Sequence, residues 1–274
     1  MPSKKPLILV TNDDGITSPG ISALTEVMKE LGEVVVIAPD KPQSGTGHSI
    51  TINSTLRIHK TKYHGAMEEY AMTGTPVDCV KMAFSKVLKR KPDLCVSGIN
   101  HGSNISINVI YSGTMSAAVE AAVEGIPSIG FSLMNYSIDA DFTASKHYAK
   151  LIASQVLNLG MLKDTCLNVN IPSLHLSEIK GIKVCRQARA NWVEEFDERE
   201  DPSGRPYYWL TGTFLNYERG KTDTDVWAVE NNYVSIVPTQ FDLTAYAAVS
   251  HAEKLFGNNS HKKTDGRKAV KKKV

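Results

Sequence analysis

The chain lacks any apolar run long enough to cross a bilayer. Its longest, such as Pro6 to Val10 and Val34 to Ala38, fall far short of the ~20 residues a spanning helix needs, so no membrane span is expected. It also lacks an apolar secretory core: the segment Met1 to Pro6 carries two lysines and leads straight into a strand-like run, and export by that route is not expected. Cysteine is scarce. Cys79, Cys95, Cys166 and Cys185 are widely separated, each in an apolar segment, and none has a second Cys or a His at metal-ligand spacing. Buried thiols, a reducing compartment and therefore the cytoplasm are expected instead of a disulfide framework. Net charge is small, at +2, but it hides an asymmetry. Ser260 to Val274 holds seven Lys or Arg against one Asp, which leaves about −4 for the body. This basic tail reads as a solvated, disordered terminus, and nucleic acid is not an expected partner.

What is present is enough apolar residue, 42% of 274, for one large α/β domain or two small ones. Leu7 to Val10 is a buried-strand run that empties into the polar cluster Thr11 to Gly15. Ser18 and Pro19 then start a helix, in which Ile21, Leu24, Val27, Met28 and Leu31 recur at helical spacing until Gly32. The strand Glu33 to Ala38 completes a β-α-β unit. Its right-handed crossover puts the Thr11 to Gly15 loop at the carboxyl end of the sheet. The pattern recurs with a helix from Thr75 and Pro76 to Leu88, a strand at Leu94 to Val96, a helix from Ser112 to Gly125 and a strand at Pro127 to Phe131. Asp141 to Leu159 adds an amphipathic helix. The fold expected is α/β: a doubly wound, mainly parallel sheet in a three-layer, Rossmann-like arrangement. Asn191 to Leu210 reads differently, as a long hairpin about the Pro202, Ser203, Gly204 turn. Trp192, Phe196, Tyr207, Tyr208, Trp209 and Tyr217 are many rings to leave in water on a projecting arm, which points to packing on a second subunit, the alternative being packing on the parent domain. The expected boundaries are 1–180 for the core, 181–259 for the arm and for C-terminal elements returning to the core, and 260–274 for the tail.

Chemistry-bearing residues collect at one sheet edge. Asn12 to Gly15, Pro42 to Ser49, Ser97 to Asn104 and the helix start Ser112 to Thr114 all fall there, in the crevice where such folds bind ligands. Adjacent carboxylates such as Asp13 and Asp14 repel unless a cation or a proton intervenes. With no Cys or paired His nearby, they suggest Mg²⁺ or Mn²⁺, although Asp-Asp-Gly is also an ordinary turn sequence. Ser44, Asn100 and Asn104 can supply neutral oxygens, or serve only as loop residues that satisfy backbone groups. Ser112, Gly113 and Thr114 can seat an anion, or simply cap the helix. His48 and His101 can protonate a leaving oxygen or hold a phosphate oxygen, or act as loop histidines.

Five ordered blocks, "LVTNDDGI" at Leu9 to Ile16, "APDKPQSGTGHSIT" at Ala38 to Thr51, "TGTPVDCV" at Thr73 to Val80, "SGINHGSN" at Ser97 to Asn104 and "YSGTMSAAVEA" at Tyr111 to Ala121, resemble the stationary-phase survival protein SurE family. The segment Arg186 to Gly212 is similar to that family's dimer-forming arm. The resemblance implies a divalent-metal-dependent 5′/3′-nucleotidase, acting on nucleoside monophosphates and in some members on short polyphosphate, and a homodimer that can pair into a tetramer. It implies one metal ion per subunit, Mg²⁺ or Mn²⁺ with Co²⁺ as an alternative, held by Asp13, Asp14, Ser44 and Asn100. It further implies phosphate binding by Ser112, Gly113 and Thr114, with Asn12 and Gly45 lining the pocket. The site expected therefore comprises Asp13, Asp14 and Asn12 as catalytic residues and Gly45, His48, Asn104, Ser112, Gly113 and Thr114 as phosphate or substrate contacts. Attack by a metal-polarised water in line with the leaving oxygen is the mechanism expected. Three other readings stay open: a covalent aspartyl phosphatase, which wants the Asp-x-Asp this loop lacks, a nucleotide- or phosphate-binding module without catalysis, and nucleic-acid binding through the tail.

Overall fold

The structure is a computed structural model that describes residues 5–257. The expected basic tail, Ser260 to Val274, lies outside the described residues. Residues up to Phe241 form one compact unit, and a second unit begins at Asp242.

The chain opens with β1 (Leu7–Thr11), α1 (Pro19–Met28) and β2 (Glu33–Pro39). It continues through β3 (Ile58–Lys60), β4 (Glu68–Met72) and α2 (Pro76–Met82) to β5 (Leu94–His101). Next come α3 (Gly113–Val123), β6 (Ser128–Leu133), α4 (Thr143–Leu159) and β7 (Thr165–Ile171). After β8 (Ile182–Val184), the long strands β9 (Ala190–Glu200) and β10 (Pro206–Asn216) form a separate antiparallel hairpin. α5 (Asp225–Glu230) and β11 (Val234–Gln240) close the first unit, and α6 (Tyr246–Phe256) belongs to the second.

Nine strands make one sheet in the order β3-β4-β2-β1-β5-β6-β7-β11-β8. The six from β4 to β7 are mutually parallel, while β3 and β11 each run antiparallel to a neighbour. The central strands are apolar without a break because helices cover both faces. Side chains alternate across the sheet. Thus Ile8, Val10, Val34, Val36 and Val96 pack against Ile21, Leu24 and Met28 of α1 and Tyr148, Ile152 and Val156 of α4. On the other face, Leu7, Leu9, Val35, Ile37 and Cys95 meet Cys79 and Val80 of α2 and Ala117 and Ala121 of α3. Three layers and a mainly parallel, doubly wound sheet are what the hydrophobic pattern implies. All four cysteines are buried free thiols. Among the described residues, no helix is long and apolar enough to cross a membrane.

Three local details differ from the sequence pattern. α1 ends at Met28, and Gly32 serves a different purpose from stopping it: a Cβ there would stand 2.3 Å from the Pro6 carbonyl oxygen, so glycine lets the turn press against the start of β1. Ser18 is the N-cap of α1 but makes no side-chain cap bond, and its hydroxyl accepts instead from Asn12 Nδ2 at 2.8 Å. The helix expected to reach Leu88 is α-helical only to Met82 and finishes as a π turn over Ala83–Val87.

Candidate active site

From β1 the chain winds outwards through β2 to β4, then returns to the other side of β1 as β5 and continues to β6 and β7. The winding direction therefore reverses between β1 and β5, and a crevice opens at the carboxyl ends of those two strands. Asp13 and Asp14 leave β1 at that point, and Asn100 and His101 end β5. The register of β5 against β6 slips between Ser97 and Asn100, an irregularity of the kind that re-aims side chains beside a site. α3 approaches the same crevice with its N-terminus.

Asp13 is 4% exposed, and its Oδ1 accepts the Thr114 hydroxyl at 2.5 Å. Gly113 makes this close approach possible, since a Cβ there would lie 2.7 Å from Asp13 Cβ and 2.9 Å from Oδ2. Burial pushes the Asp13 carboxyl from its ordinary 3.8 up to about 6, against the Thr114 hydrogen bond and with help from the Asp14 charge. Asp14 Oδ2 accepts from the His101 backbone N–H at 3.2 Å and stands 3.1 Å from His101 Nδ1. The His101 ring meets the edge of Phe142, with centroids 5.3 Å apart. The Pro42 to Ser49 loop is tied to the same point, because Gln43 N–H donates to the Asp13 main-chain carbonyl at 2.8 Å, and Ser44 follows Gln43 in that loop. Asn100 donates its side-chain amide to Gly102 O at 2.8 Å, leaving its Oδ1 as the acceptor, an orientation assigned from that bond. A cavity of about 370 Å³ opens on Asp14 and His101.

These residues fit a hard divalent cation. The charge of a buried carboxylate beside a second carboxylate is stabilised by a cation, and Asn12 Oδ1 is a buried acceptor with no donor among the described residues. The set is lean: among the described residues no group of three or more His, Cys, Asp or Glu converges as a metal site. Two carboxylates supplemented by neutral oxygens such as Ser44 Oγ and Asn100 Oδ1 suit Mg²⁺ or Mn²⁺.

The other expected site residues are distributed unevenly. Asn12 braces the first loop by donating to Gly15 O and Ser18 Oγ. Ser112 is the N-cap of α3, with its hydroxyl accepting from Met115 N–H, and Gly113 and Thr114 open the helix beside Asp13. Gly45 lies in the loop that Gln43 anchors. Asn104 is 5% exposed and has an all-protein set of partners: it donates to Ser132 Oγ, its N–H goes to Asn170 Oδ1 and its carbonyl accepts from Asn168. His48 Nε2 faces Glu120 Oε2 on α3 at 2.9 Å. Glu120 is nearly buried and also receives Lys81 Nζ at 2.5 Å. Although burial alone would raise it, the His48 and Lys81 contacts hold the Glu120 carboxyl below its ordinary range. Neither Glu120 nor the Asp14 to His101 contact was visible in the sequence, where the partners stand 72 and 87 residues apart.

Fold and site together define a class: a doubly wound α/β protein whose switch-point crevice joins two aspartates to a helix N-terminus. The Survival protein SurE family model matches residues 8–194, and the chain belongs to that family. "5′-nucleotidase SurE" of Flavobacterium psychrophilum is 61% identical over 246 residues, covering 89% of this chain and 95% of that protein. The protein of the same name from Christiangramia forsetii is 64% identical over 248 residues, 90% of this chain and 95% of its own length. The crystal structure of the SurE protein from Aquifex aeolicus superposes with a TM-score of 0.80 at 43% identity, covering 91% of this chain and 99% of that one.

Proposed function

We propose that this chain is a divalent-metal-dependent nucleotidase that releases phosphate from nucleoside 5′- and 3′-monophosphates, with short polyphosphate as a further substrate. The observation that carries the reading is the contact between Asp13 and Thr114, which sets a carboxylate pair directly against the first turn of α3. The names of the similar proteins point the same way. Asp13, Asp14, Ser44 and Asn100 would hold one Mg²⁺ or Mn²⁺ ion, with Co²⁺ as a substitute. When bound, such an ion supplies electrophilic charge and acidifies water.

The chain's own residues do the rest. The first N–H groups of a helix have no intrahelical acceptor, so the α3 N-terminus, through Ser112 and Gly113, receives a phosphate oxygen. A donor aimed at charge developing on the equatorial oxygens contributes about 3 kcal/mol to the transition state. Thr114 fixes Asp13 and His101 fixes Asp14, so neither carboxylate has to be ordered when substrate arrives. Water attacks phosphorus in line as the P–O bond to the nucleoside breaks; Asp14, the more exposed of the pair, accepts the water's proton, and the departing nucleoside oxygen takes up a proton from solvent. His48 orders the Gly45 loop through Glu120. The arm's exposed rings, among them Phe196, Tyr208 and Trp209, form the contact of a homodimer that can pair into a tetramer. Four free thiols accord with a cytoplasmic setting.

The test is phosphate release from the nucleoside monophosphates and from short polyphosphate with Mg²⁺, Mn²⁺, Co²⁺ or EDTA. Release is expected only with a cation, and it is expected to vanish in Asp13→Asn and Asp14→Asn. Release undiminished by EDTA, or retained in both variants, overturns the reading.

A further inference from the structure

A cavity of about 560 Å³ lies between the Gly45 loop, Tyr111 and the root of the β9-β10 hairpin. It is within the roughly 300–1,000 Å³ that small-molecule sites occupy. Its position follows from chain connectivity. Gly45 is the neighbour of Ser44, and Tyr111 is the neighbour of the α3 cap Ser112. The cavity therefore starts about one residue, roughly 3.8 Å of chain, from each of two segments tied to Asp13, one through Gln43 N–H on its main-chain carbonyl and one through the Thr114 hydroxyl on its carboxylate. Gly47 N–H donates to the Tyr111 main-chain carbonyl at 3.1 Å, so the loop is held to the backbone that enters α3.

The hairpin wall is built to present one face. Trp192, Glu194, Leu210 and Gly212 line the cavity, and the ladder register pairs Glu194 with Gly212 and Trp192 with Phe214. Gly212 has φ +149, and a Cβ there would stand 2.4 Å from the Val193 carbonyl, so this position supports no side chain and leaves room beside Glu194. Trp192 is exposed but fixed: its indole N–H donates to Asn108 Oδ1 at 2.9 Å, and its ring lies against Phe214 at 5.5 Å. The hairpin root is itself anchored to the segment entering α3. Ser106 Oγ lies 2.9 and 2.8 Å from the carbonyls of Ala188 and Ala190, sharing its one proton between them, and buried Asp225 accepts from the Ser106 and Ala188 N–H groups. Among the described residues Glu194 has no hydrogen-bond or ion-pair partner, so a carboxylate waits at the edge of an aromatic wall.

We propose that this cavity is the nucleoside subsite, where Trp192 stacks on the base and Glu194 accepts hydrogen bonds from its amino group. The proposal rests on the nucleotidase reading of the neighbouring carboxylate site, and it divides the arm into a root that reads substrate and a tip that meets a second subunit. A base is a neutral aromatic plate with donors on its edge. A pre-set indole with one unpaired carboxylate is complementary to that, and stacking tolerates any base while the carboxylate favours those that carry an amino group.

The experiment compares kcat/KM for the four nucleoside 5′-monophosphates with that for ribose 5-phosphate, which has the phosphate and sugar but no base. Trp192→Ala is expected to raise KM for the nucleotides about tenfold, the order of one base stack, with little change in kcat and with ribose 5-phosphate affected less than twofold. Trp192→Phe is expected to restore most of the loss, which separates stacking from damage to the fold. Glu194→Ala, on an exposed strand, is expected to weaken the adenine, guanine and cytosine nucleotides more than the uracil nucleotide. Equal losses on nucleotides and ribose 5-phosphate in Trp192→Ala, or a base-selective loss instead in Tyr136→Ala, whose ring lines the 370 Å³ cavity beside Asp14 and His101, overturn the proposal. Quenching of tryptophan fluorescence by adenosine, measured without cation, keeps the two readings apart. Quenching lost in Trp192→Phe without any phosphate release from wild type supports the subsite and removes the nucleotidase. Phosphate release at the same efficiency from nucleotides and ribose 5-phosphate keeps the nucleotidase and removes the subsite.

Discussion

Removing the charge of Asp13 should abolish function while making the ion-free protein more stable. A buried Asp13 that titrates near 6 in the folded chain and at its ordinary 3.8 in the unfolded chain binds its proton more tightly when folded. Below pH 3.8 both states are protonated and the group has no effect. As pH rises from 3.8 to 6 the unfolded chain releases the proton and the folded chain keeps it, so stability falls. Above 6 the full cost is present, and at 1.36 kcal/mol per pKa unit it is about 3 kcal/mol. Asp13→Asn keeps an oxygen for the Thr114 hydroxyl and carries no charge. At pH 7.5 in EDTA the variant should therefore resist denaturant better than wild type by up to about 3 kcal/mol, with a melting point higher by roughly 6–12 °C at fixed protein concentration. Its advantage should shrink to nothing by pH 4. Saturating Mn²⁺ should stabilise wild type more than the variant, because only wild type keeps both carboxylates of the proposed ion site. Urea unfolding between pH 4 and 8, with and without Mn²⁺, measures all of this. A variant less stable than wild type in EDTA, or a wild-type stability that rises between pH 4 and 6 while the variant's stays flat, would refute the argument.

Three further outcomes are expected. Gly113→Ala places a methyl carbon 2.7 Å from Asp13 Cβ, which should force α3 away from the carboxylate, cost about 1–3 kcal/mol of stability and depress kcat; a fully active variant would show that the contact is not needed. Glu120→Ala releases both His48 and Lys81 and should raise KM more than it lowers kcat, as the Gly45 loop loses its tether, with a stability loss of about 1–3 kcal/mol by urea titration. Because the folded Glu120 carboxyl sits below its ordinary 4.5, its stabilising effect is present above pH 4.5 and lost as pH falls through the folded value, so wild type and variant should converge in acid. On the proposal that the arm's exposed rings form a dimer contact, wild type should scatter light as a dimer and the Tyr208→Ser, Trp209→Ser double variant as a monomer, and equal masses for the two would overturn that contact.

Much of the architecture was legible because it depends on local pattern. Leu7 to Val10 and Val34 to Ala38 are uninterrupted apolar runs, and only a strand covered on both faces explains them at that length. Ser112 before "GTM" reads as a cap, and it is one. Elements with weak patterns escaped. β4, "EEYAM", and β11, which contains Pro238, do not announce strands by composition, yet each pairs with a well-defined neighbour. The π turn after Met82 and the side-chain bond from Asn12 to Ser18 in place of a Ser18 cap bond are not signalled by helical periodicity.

The site divides along the same line. The sequence by itself determined that Asp13 and Asp14 leave a buried strand, that Ser112 to Thr114 begin a helix, and that both lie at one sheet edge, because strand and helix periodicity and the handedness of a β-α-β crossover are local rules. Only the tertiary structure decided which groups meet there. The Thr114 hydroxyl on Asp13, His101 on Asp14, Glu120 on His48 and Trp192 beside Tyr111 join residues between 72 and 101 positions apart where hydrogen-bonded. No periodicity encodes such contacts, since they exist only once loops from different strands are brought to the carboxyl end of one sheet. Burial is the other such property: a carboxylate is an ordinary turn residue until packing excludes water from it, and that exclusion raises the Asp13 pKa.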